Sequence, residues 1–366
     1  MKKLALPAFA FFTLAIFTFQ SCDKDKGIKG CNSDFDQTEM FANVADNIIL
    51  PAYEALQQKV NELSAQSTAF VANPDATTLE NAQTAFINAY MAWQSAAPFE
   101  FGPAEEVFLR SSVNNFPINE LLVENNIASG DYDFDMPDAY DKGFPALDYL
   151  FFEVAVNGDS FTSNGNYGTY LLDVVADIKQ RVDDTYSAWT NGYRETFVAN
   201  TGTAAGTSLS LLTNQLNQHY EAIKRDKIGI PSGALTLGFT NPESVEAYYS
   251  GYSIELAVAA LNSSRQLYLG NAMDGTAGIG FDDYLTEIGA EKSGIPLDEI
   301  IQQQYTATIA AVAGLANPLS ATVDTDTESV VSAYNETVKQ IVNIKTDMPS
   351  VLCVAITYID NPSDSD

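Results

Sequence analysis

Histidine and cysteine are scarce in this chain, and their scarcity limits its possible chemistry. The single histidine, His219, lies between apolar positions of a predicted helix, and there is no HExxH motif. A hydrolytic zinc site needs about three nitrogen, oxygen or sulfur ligands, so zinc hydrolysis is poorly supported. The three cysteines lie near the chain ends, and GxSxG, Walker and strand-linked GxGxxG motifs are missing. Nucleophilic catalysis and nucleotide binding therefore have no visible motif.

Positive charge is also scarce. The chain has 18 lysines and arginines against 48 aspartates and glutamates, a formal net charge of −30. Five of the basic residues lie at or before residue 29, so the folded body is nearly stripped of them. Such a surface repels phosphate backbones and concentrates cations. Nucleic acid is therefore excluded as a partner, and most of the acids are expected to form a solvated face.

Long apolar runs are confined to the start of the chain. Lys2 and Lys3 precede an apolar run at 4–19, and Gln20-Ser21-Cys22 follows. This order is typical of a secretory signal, and the run is too short for a spanning helix. We predict a signal peptide at 1–21, a lipidated Cys22 and a tether at 22–33, so that the protein is exported and anchored to the bacterial envelope. Ordinary secretory cleavage is the alternative.

The two remaining cysteines, Cys31 and Cys353, lie at opposite ends of the folded body. An even number of cysteines in an exported protein permits one disulfide. Two separately buried thiols are equally consistent with the sequence.

Apolar residues recur at helical spacing along most of the body, and alternation of period two is hard to find. We therefore predict an all-α fold. Pro51 should kink or split the first helix. The predicted helices span 36–71, 76–96, 103–111, 117–126, 145–153, 168–190, 206–224, 242–269, 297–315, 326–346 and 349–357.

A short internal sequence repeat predicts that the folded body has two halves. "ANP" at 72–74 precedes Tyr90, and "ANP" at 316–318 precedes Tyr334 at the same interval. We expect helix-bundle halves at 34–200 and 201–366, packed side by side and related by duplication.

Two segments carry concentrated acids or aromatics. Residues 127–144 contain an Asp131-x-Asp133-x-Asp135 run that lacks the glycine and glutamate of an EF-hand loop, so a solvated turn is predicted. In 91–110, Arg110 stands among aromatics and glutamates, including Glu100. We expect this arginine to be paired and partly buried, either for structure alone or to orient a carboxylate of a site.

The segment "KGFPALDYLFF" at 142–152 predicts the start of a helix. Proline is favourable at a first helical position, because its missing N–H has no partner there. Gly143 allows the chain to turn into the helix, and Asp148 lies within reach of the positive, N-terminal end of the helix dipole.

Three stretches together resemble the imelysin-like family of bacterial exported proteins. They are "AWQSAAPFEFGP" at 92–103, "KGFPALDYLFF" at 142–152 and "VEAYYSGYSIELAVAALNSSRQLYLG" at 245–270, with "DKIGIP" at 226–231 between them. The resemblance runs in order from about residue 38 to the C-terminus.

The resemblance implies two helical halves with a site where they meet. It also implies a role in iron acquisition at the envelope, and some members were described as metallopeptidases. The family's GxHxxE motif falls on residues 143–148, where Gly143 matches, Pro145 replaces the histidine and Asp148 replaces the glutamate. A direct copy of the family's proposed His–Glu metal pair is therefore not present.

We accordingly predict a non-catalytic binding component for iron or another divalent cation, as free metal or as a chelate, with an outer-membrane receptor as a further partner. A metallopeptidase and a structural or adhesive surface protein are the alternatives. Asp148 is the candidate metal ligand. The candidate ligand-binding residues are Asp148, Glu100, Arg110, Ser250, Tyr252, Ser253, Gly143 and Pro145.

The predicted site has a definite geometry. The helix start at Pro145, the "PFEFGP" turn at 98–103 and the "YYSGYS" segment at 248–253 are expected to face one cleft, with Asp148 turned toward it. In the alternative, Asp148 only stabilises its own helix by charge.

Overall fold

The computed structural model describes residues 33–137 and 139–358. The predicted signal peptide, Cys22, the tether and Cys31 lie outside these residues. Cys353 is disulfide-bonded. None of the described helices has the length and apolar character needed to cross a membrane.

The described chain is almost entirely helical, as predicted. Up to residue 199 its α-helices are α1 (Gln37–Val44), α2 (Leu50–Ala72), α3 (Ala76–Ala96), α4 (Pro103–Glu106), α5 (Leu109–Val113), α6 (Glu120–Ser129), α7 (Gly143–Tyr149), α8 (Ala155–Asn157), α9 (Ser160–Ser163), α10 (Gly165–Ala188) and α11 (Arg194–Ala199).

The remaining α-helices are α12 (Ser208–Ala222), α13 (Ser253–Leu269), α14 (Phe281–Glu287), α15 (Leu297–Ala313), α16 (Leu319–Thr325), α17 (Thr327–Ile341) and α18 (Met348–Leu352). Two short strands, β1 (Glu291–Lys292) and β2 (Ile295–Pro296), pair antiparallel. Ser293 and Gly294 between them both have positive φ, which matches the twist of a tight hairpin.

Pro51 neither breaks nor sharply splits the first helix. A π-helical turn at Ala45–Ile49 joins α1 to α2, and the N–H of Leu50 donates to the carbonyl of Ala45, five residues back. A proline inside a regular helix clashes with the carbonyl four residues earlier, and a widened turn accommodates it. Other π turns lie at Leu150–Val154, Ile223–Gly229 and Val342–Asp347. Between α10 and α11 the chain is kinked instead, because Asn191 and Gly192 have non-helical backbone angles.

Helix α2 packs against both α3 and α10, and the three helices form the core of the first part of the chain. Their apolar faces recur every three or four residues, which is the spacing of one helix face. Stacking of Tyr90 on Phe144, with ring centroids 4.7 Å apart, joins α3 to α7. The fully buried aromatic residues of this region include Tyr53, Phe86, Tyr90, Trp93, Tyr170 and Trp189.

In the second part, α15 packs against both α13 and α17, and α13 also packs against α3 of the first part. The two helical groups therefore meet along α3 and α13. Their origin by duplication and the boundary at residue 200 stay predictions. The second "ANP" leads first into the short α16 and only then into α17, whereas the first leads directly into α3.

The largest departure from the predicted elements lies at 242–252. A helix from 242 was predicted, but α13 begins at Ser253 and is preceded by a short 3₁₀ turn, Pro242–Ser244, and an irregular segment. Ala247 and Gly251 have φ of +54° and +74° there. A left-handed residue interrupts a right-handed helix, so apolar periodicity alone does not reveal this break.

Candidate functional site

The carboxylate of Asp148 is buried against the second part of the chain. Its side chain is 1% exposed. Its oxygens accept the backbone N–H groups of Tyr249, at 2.9 Å, and Ser250, at 3.2 Å. Those amides lie about 100 residues further along the chain. Asp148 therefore fixes the segment 247–252 rather than the N-terminus of its own helix.

The start of that helix also differs from the prediction. Helix α7 begins at Gly143, so Pro145 is its third residue rather than its first. Its missing N–H is still among the first four of a helix, which have no intrahelical partner. Gly143 has φ of +76°, and an added Cβ would lie 2.4 Å from the carbonyl oxygen of Val113. Glycine is thus required here by both conformation and space.

A pocket of 270 Å³, here called the Asp148 pocket, opens where α7 meets this segment. Three carboxylates and three aromatic side chains line it, namely Glu120, Asp148, Glu243, Phe116, Tyr248 and Tyr249. Its other lining residues are Pro117, Ile118, Pro145, Asn241, Val245 and Ala247.

A buried polar network lies behind the pocket. Lys227 forms an ion pair with Glu246 and donates to the amide oxygen of Gln94 at 3.1 Å. Glu246 also accepts from Asn114 at 2.8 Å, and Asn114 in turn accepts from the hydroxyl of Tyr90 at 2.7 Å. The network therefore joins both parts of the chain at the back of the pocket.

The two charges of this network are almost completely removed from water, since the Lys227 and Glu246 side chains are 7% and 1% exposed. Burial lowers the pKa of Lys227, and the charge of Glu246 opposes that shift. Each ion is thus tolerated in the interior mainly because the other is present.

Sequence reasoning missed Lys227 and Glu246 as site residues. Both lie in stretches that carried the family resemblance, "DKIGIP" and "VEAYYSGYS". A lysine in a glycine-rich apolar segment of such an acidic chain was the available signal. Phe116, Glu120 and Glu243 gave no comparable signal, because nothing local marks them apart from surface residues.

Glu100 and Arg110 do not line the Asp148 pocket. The Glu100 carboxylate accepts the backbone N–H of Arg110, with both oxygens at 3.0 Å, and burial raises the pKa of Glu100 to about 7. The Arg110 guanidinium donates to the carbonyl of Ala97 and to Gln215. Arginine and glutamate thus tie the 98–103 turn to α5 and α12, and no residue of this turn is among those that line the Asp148 pocket.

The remaining predicted residues surround the segment that Asp148 fixes. The hydroxyl of Ser253 donates to the carbonyl of Glu246 at 2.5 Å, which ties the start of α13 to the buried network. Tyr252 is 38% exposed and immediately precedes α13. Neither Tyr252 nor Ser253 lines the pocket. Ligand binding by any of these residues stays a prediction.

His219 is a packed core residue. Its Nε2 lies 3.3 Å from the carbonyl oxygen of Ala260, and burial together with Arg110 and Lys227 lowers its pKa to about 3. In the described part of the chain, no group of three or more histidines, cysteines, aspartates and glutamates is arranged to hold a metal ion. Metal binding by Asp148 stays a prediction.

Burial raises the pKa of Asp148 to about 6, against hydrogen bonds from Ser250 and Tyr249 that lower it. Because the folded protein holds this proton to a higher pH than the unfolded chain, protonation contributes stability that is complete below about pH 4 and lost as the pH rises through about 6. A shift of this size corresponds to about 3 kcal/mol at most.

Asp148→Asn removes this ionisation. We expect the free energy of unfolding of the wild type minus that of Asp148→Asn to fall from pH 4 to pH 7 and then stay level. Urea titrations at a series of pH values measure this difference, and subtraction cancels the titration of groups that do not interact with Asp148. A difference that is flat or rises over this range would contradict the assignment.

Comparison with known proteins agrees with this architecture. The imelysin family model matches residues 49–344. A solved structure from Parabacteroides distasonis ATCC 8503, assigned as an iron-regulated protein A precursor, superposes with a TM-score of 0.72 at 19% identity and covers 87% of this chain and 95% of its own. An imelysin-like protein from Psychrobacter arcticum 273-4 gives a TM-score of 0.67 at 16% identity, covering 89% and 99%. No curated protein matches. Because the family model matches most of the chain, residues 49–344, this chain belongs to the imelysin family.

Proposed function

We propose that this protein is a non-catalytic binding component of iron or other metal acquisition, and that it takes its ligand in the Asp148 pocket. The observation that carries the proposal is the pocket itself, which lies between the two parts of the chain at the family's motif position. The iron-regulated name of a structural neighbour supports the metal context.

The donor set favours a chelate over a bare ion as the cargo. Proline occupies the place of the motif histidine, and both oxygens of Asp148 already accept backbone N–H groups. A metal ion at Asp148 would compete with those amides and would have to find other ligands nearby. A chelate brings its own metal ligands, so the pocket has only to recognise the organic shell.

The metallopeptidase alternative needs a base or a metal-bound water beside a substrate cleft. The only histidine is buried elsewhere with a lowered pKa, and the carboxylates on the pocket wall have no histidine beside them to complete the family's His–Glu pair. The geometry therefore favours binding over hydrolysis.

A receptor or adhesive partner has a separate candidate surface. Leu237 and Phe239, at the tip of the loop before Asn241, are 96% and 76% exposed. Apolar side chains this exposed, close in sequence to the pocket wall, suit contact with a partner protein in the outer membrane. Leu237→Ser/Phe239→Ser should then weaken that association without changing folding, and unchanged association would remove this surface from consideration.

For location, we propose export and lipid anchoring through Cys22, which lies outside the described residues. The mass of the mature N-terminus tests this, since an unmodified Cys22 would contradict anchoring.

The function is tested on protein isolated from cells grown with and without added iron. We expect iron to co-purify together with an organic molecule, detected by elemental analysis and mass spectrometry. Asp148→Ala should lose both, whereas Glu328→Gln, an exposed carboxylate on α17, should keep them. Absence of iron and chelate from the wild type would overturn the proposal, as would chelator-sensitive proteolysis abolished by Asp148→Asn.

A further inference from the structure

The lining of the Asp148 pocket is one-sided in charge. Three of its twelve residues are carboxylates, and lysine, arginine and histidine do not occur among the twelve. Glu120 and Glu243 are exposed at the pocket, and Asp148 lies buried at its wall. The nearby ammonium of Lys227 lies 5.9 Å from the ring centroid of Phe116 and is paired with Glu246. The pocket thus offers negative charge that no basic lining residue offsets.

Aromatic rings border the same space. Tyr248 and Tyr249 have centroids 5.0 Å apart and ring planes at 86°, so they form a right-angled corner. Tyr249 is held in place from two sides. Its hydroxyl donates to Glu120, and its ring packs against the ring of Tyr149, with the two centroids 5.2 Å apart. Aromatic faces with carboxylates nearby attract organic cations strongly and anions poorly.

Apart from Asn241, the rest of the lining is apolar, and the pocket is small. Pro117, Ile118, Pro145 and Val245 would contact methylene groups rather than the water shell of a hydrated metal ion. The volume of 270 Å³ is just below the roughly 300–1,000 Å³ of pockets for drug-sized ligands. The space therefore suits a side-chain-sized group that combines a charged head with an apolar stem.

We propose that the Asp148 pocket binds an organic cation, an ammonium or guanidinium group on a short apolar stem, between the Glu120 and Glu243 carboxylates and the Tyr248–Tyr249 corner. This inference names the ligand chemistry of the proposed binding site and rests on that proposal. A chelate whose organic shell carries a protonated amine would satisfy both. The cation comes either from a small molecule or from a basic side chain of a protein, and the two share this chemistry.

The test uses the purified full-length mature protein and four probes of one size, n-butylammonium, n-butylguanidinium, n-butanol and butyrate, titrated by calorimetry at low salt. We expect the two cations to bind saturably and the neutral and anionic probes not to bind. Affinity for the cations should fall at least fivefold when salt is raised, because exposed carboxylates are screened.

Variants locate the site. Glu243→Gln and Tyr248→Leu should each weaken cation binding at least fivefold, while Glu328→Gln leaves it unchanged. Both pocket residues are exposed, so the variants are expected to fold, and thermal melting confirms it. Butanol binding as tightly as butylammonium, no cation binding at all, or cation binding that both pocket variants leave intact would overturn the proposal.

A second arm separates the sources. A terminally blocked lysine tripeptide that binds as well as butylammonium indicates a protein side chain, and one that binds much more weakly indicates a small molecule. The same tripeptide with its lysine acetylated at the side-chain Nε carries no cation and should not bind in either case. Binding of this acetylated peptide would overturn the inference. Cation binding without co-purified iron would refute the acquisition role and leave this inference standing, whereas co-purified iron without cation binding would do the reverse.

Discussion

Glu246→Ala is expected to lower the free energy of unfolding by about 3–5 kcal/mol, because it leaves the Lys227 ammonium buried without its counter-charge. Lys227 has few ways to relieve this loss. Its side chain is 7% exposed, and its other hydrogen-bond partner, Gln94, is neutral. Urea denaturation of the purified protein at neutral pH measures the change.

Two controls separate charge burial from simple loss of contacts. Glu336→Ala breaks the surface pair with Lys339, whose side chain is 58% exposed, and a hydrogen bond from Gln304, and should cost no more than about 2 kcal/mol. Lys227→Met combined with Glu246→Leu removes both charges and should recover most of the loss. If Glu246→Ala costs no more than Glu336→Ala, the buried pair is not a structural tie between the two parts of the chain.

Gly143→Ala should destabilise the protein by about 2–5 kcal/mol. Positive φ costs a non-glycine residue about 1–2 kcal/mol, and forcing a methyl group into filled space typically adds about 1–3 kcal/mol. The added Cβ would meet the carbonyl of Val113, and a backbone group cannot swing aside. Helix α7 would therefore have to move away from α5, and Asp148 with it.

Gly130→Ala is the matched control. Gly130 ends α6 with φ of +68°, but an added Cβ there meets nothing within 4 Å. It should therefore cost only the conformational part, about 1–2 kcal/mol. Equal losses for the two variants, measured by the same denaturation, would show that contact with Val113 contributes nothing.

Much of the fold could be predicted from the sequence, because the buried face of a helix places apolar residues at every third or fourth position. The predicted helices at 76–96 and 297–315 agree with α3 and α15 to within two residues. The π turns were not predictable, since widening a helix by one residue changes the apolar period too little to detect. The turn at 247–251 was missed because the left-handed conformation of Ala247 is imposed by tertiary contacts, not by an alanine's own preference.

The candidate site was only partly predictable for a related reason. Pro145 and Asp148 could be singled out because a family motif lies on them. The hydrogen-bond partners of Asp148 are backbone amides, which almost every residue has. The sequence therefore contains no side chain from which these partners could be predicted. Arg110 was expected to be paired and partly buried, either for structure alone or to orient a carboxylate of a site. Its hydrogen bonds to Ala97 and Gln215 make it a tie between elements.

The distance along the chain between Asp148 and its amide partners has a consequence for when ligand can be captured. Chains are synthesised from the N-terminus, and Asp148 is made about 100 residues before Tyr249 and Ser250. Until those residues emerge, one wall of the pocket does not exist, although α2, α3 and α10 can already associate. If the pocket binds the proposed ligand, a chain synthesised only as far as Asp148 cannot yet hold it, and binding can begin only once Tyr249 and Ser250 have emerged and packed against α7.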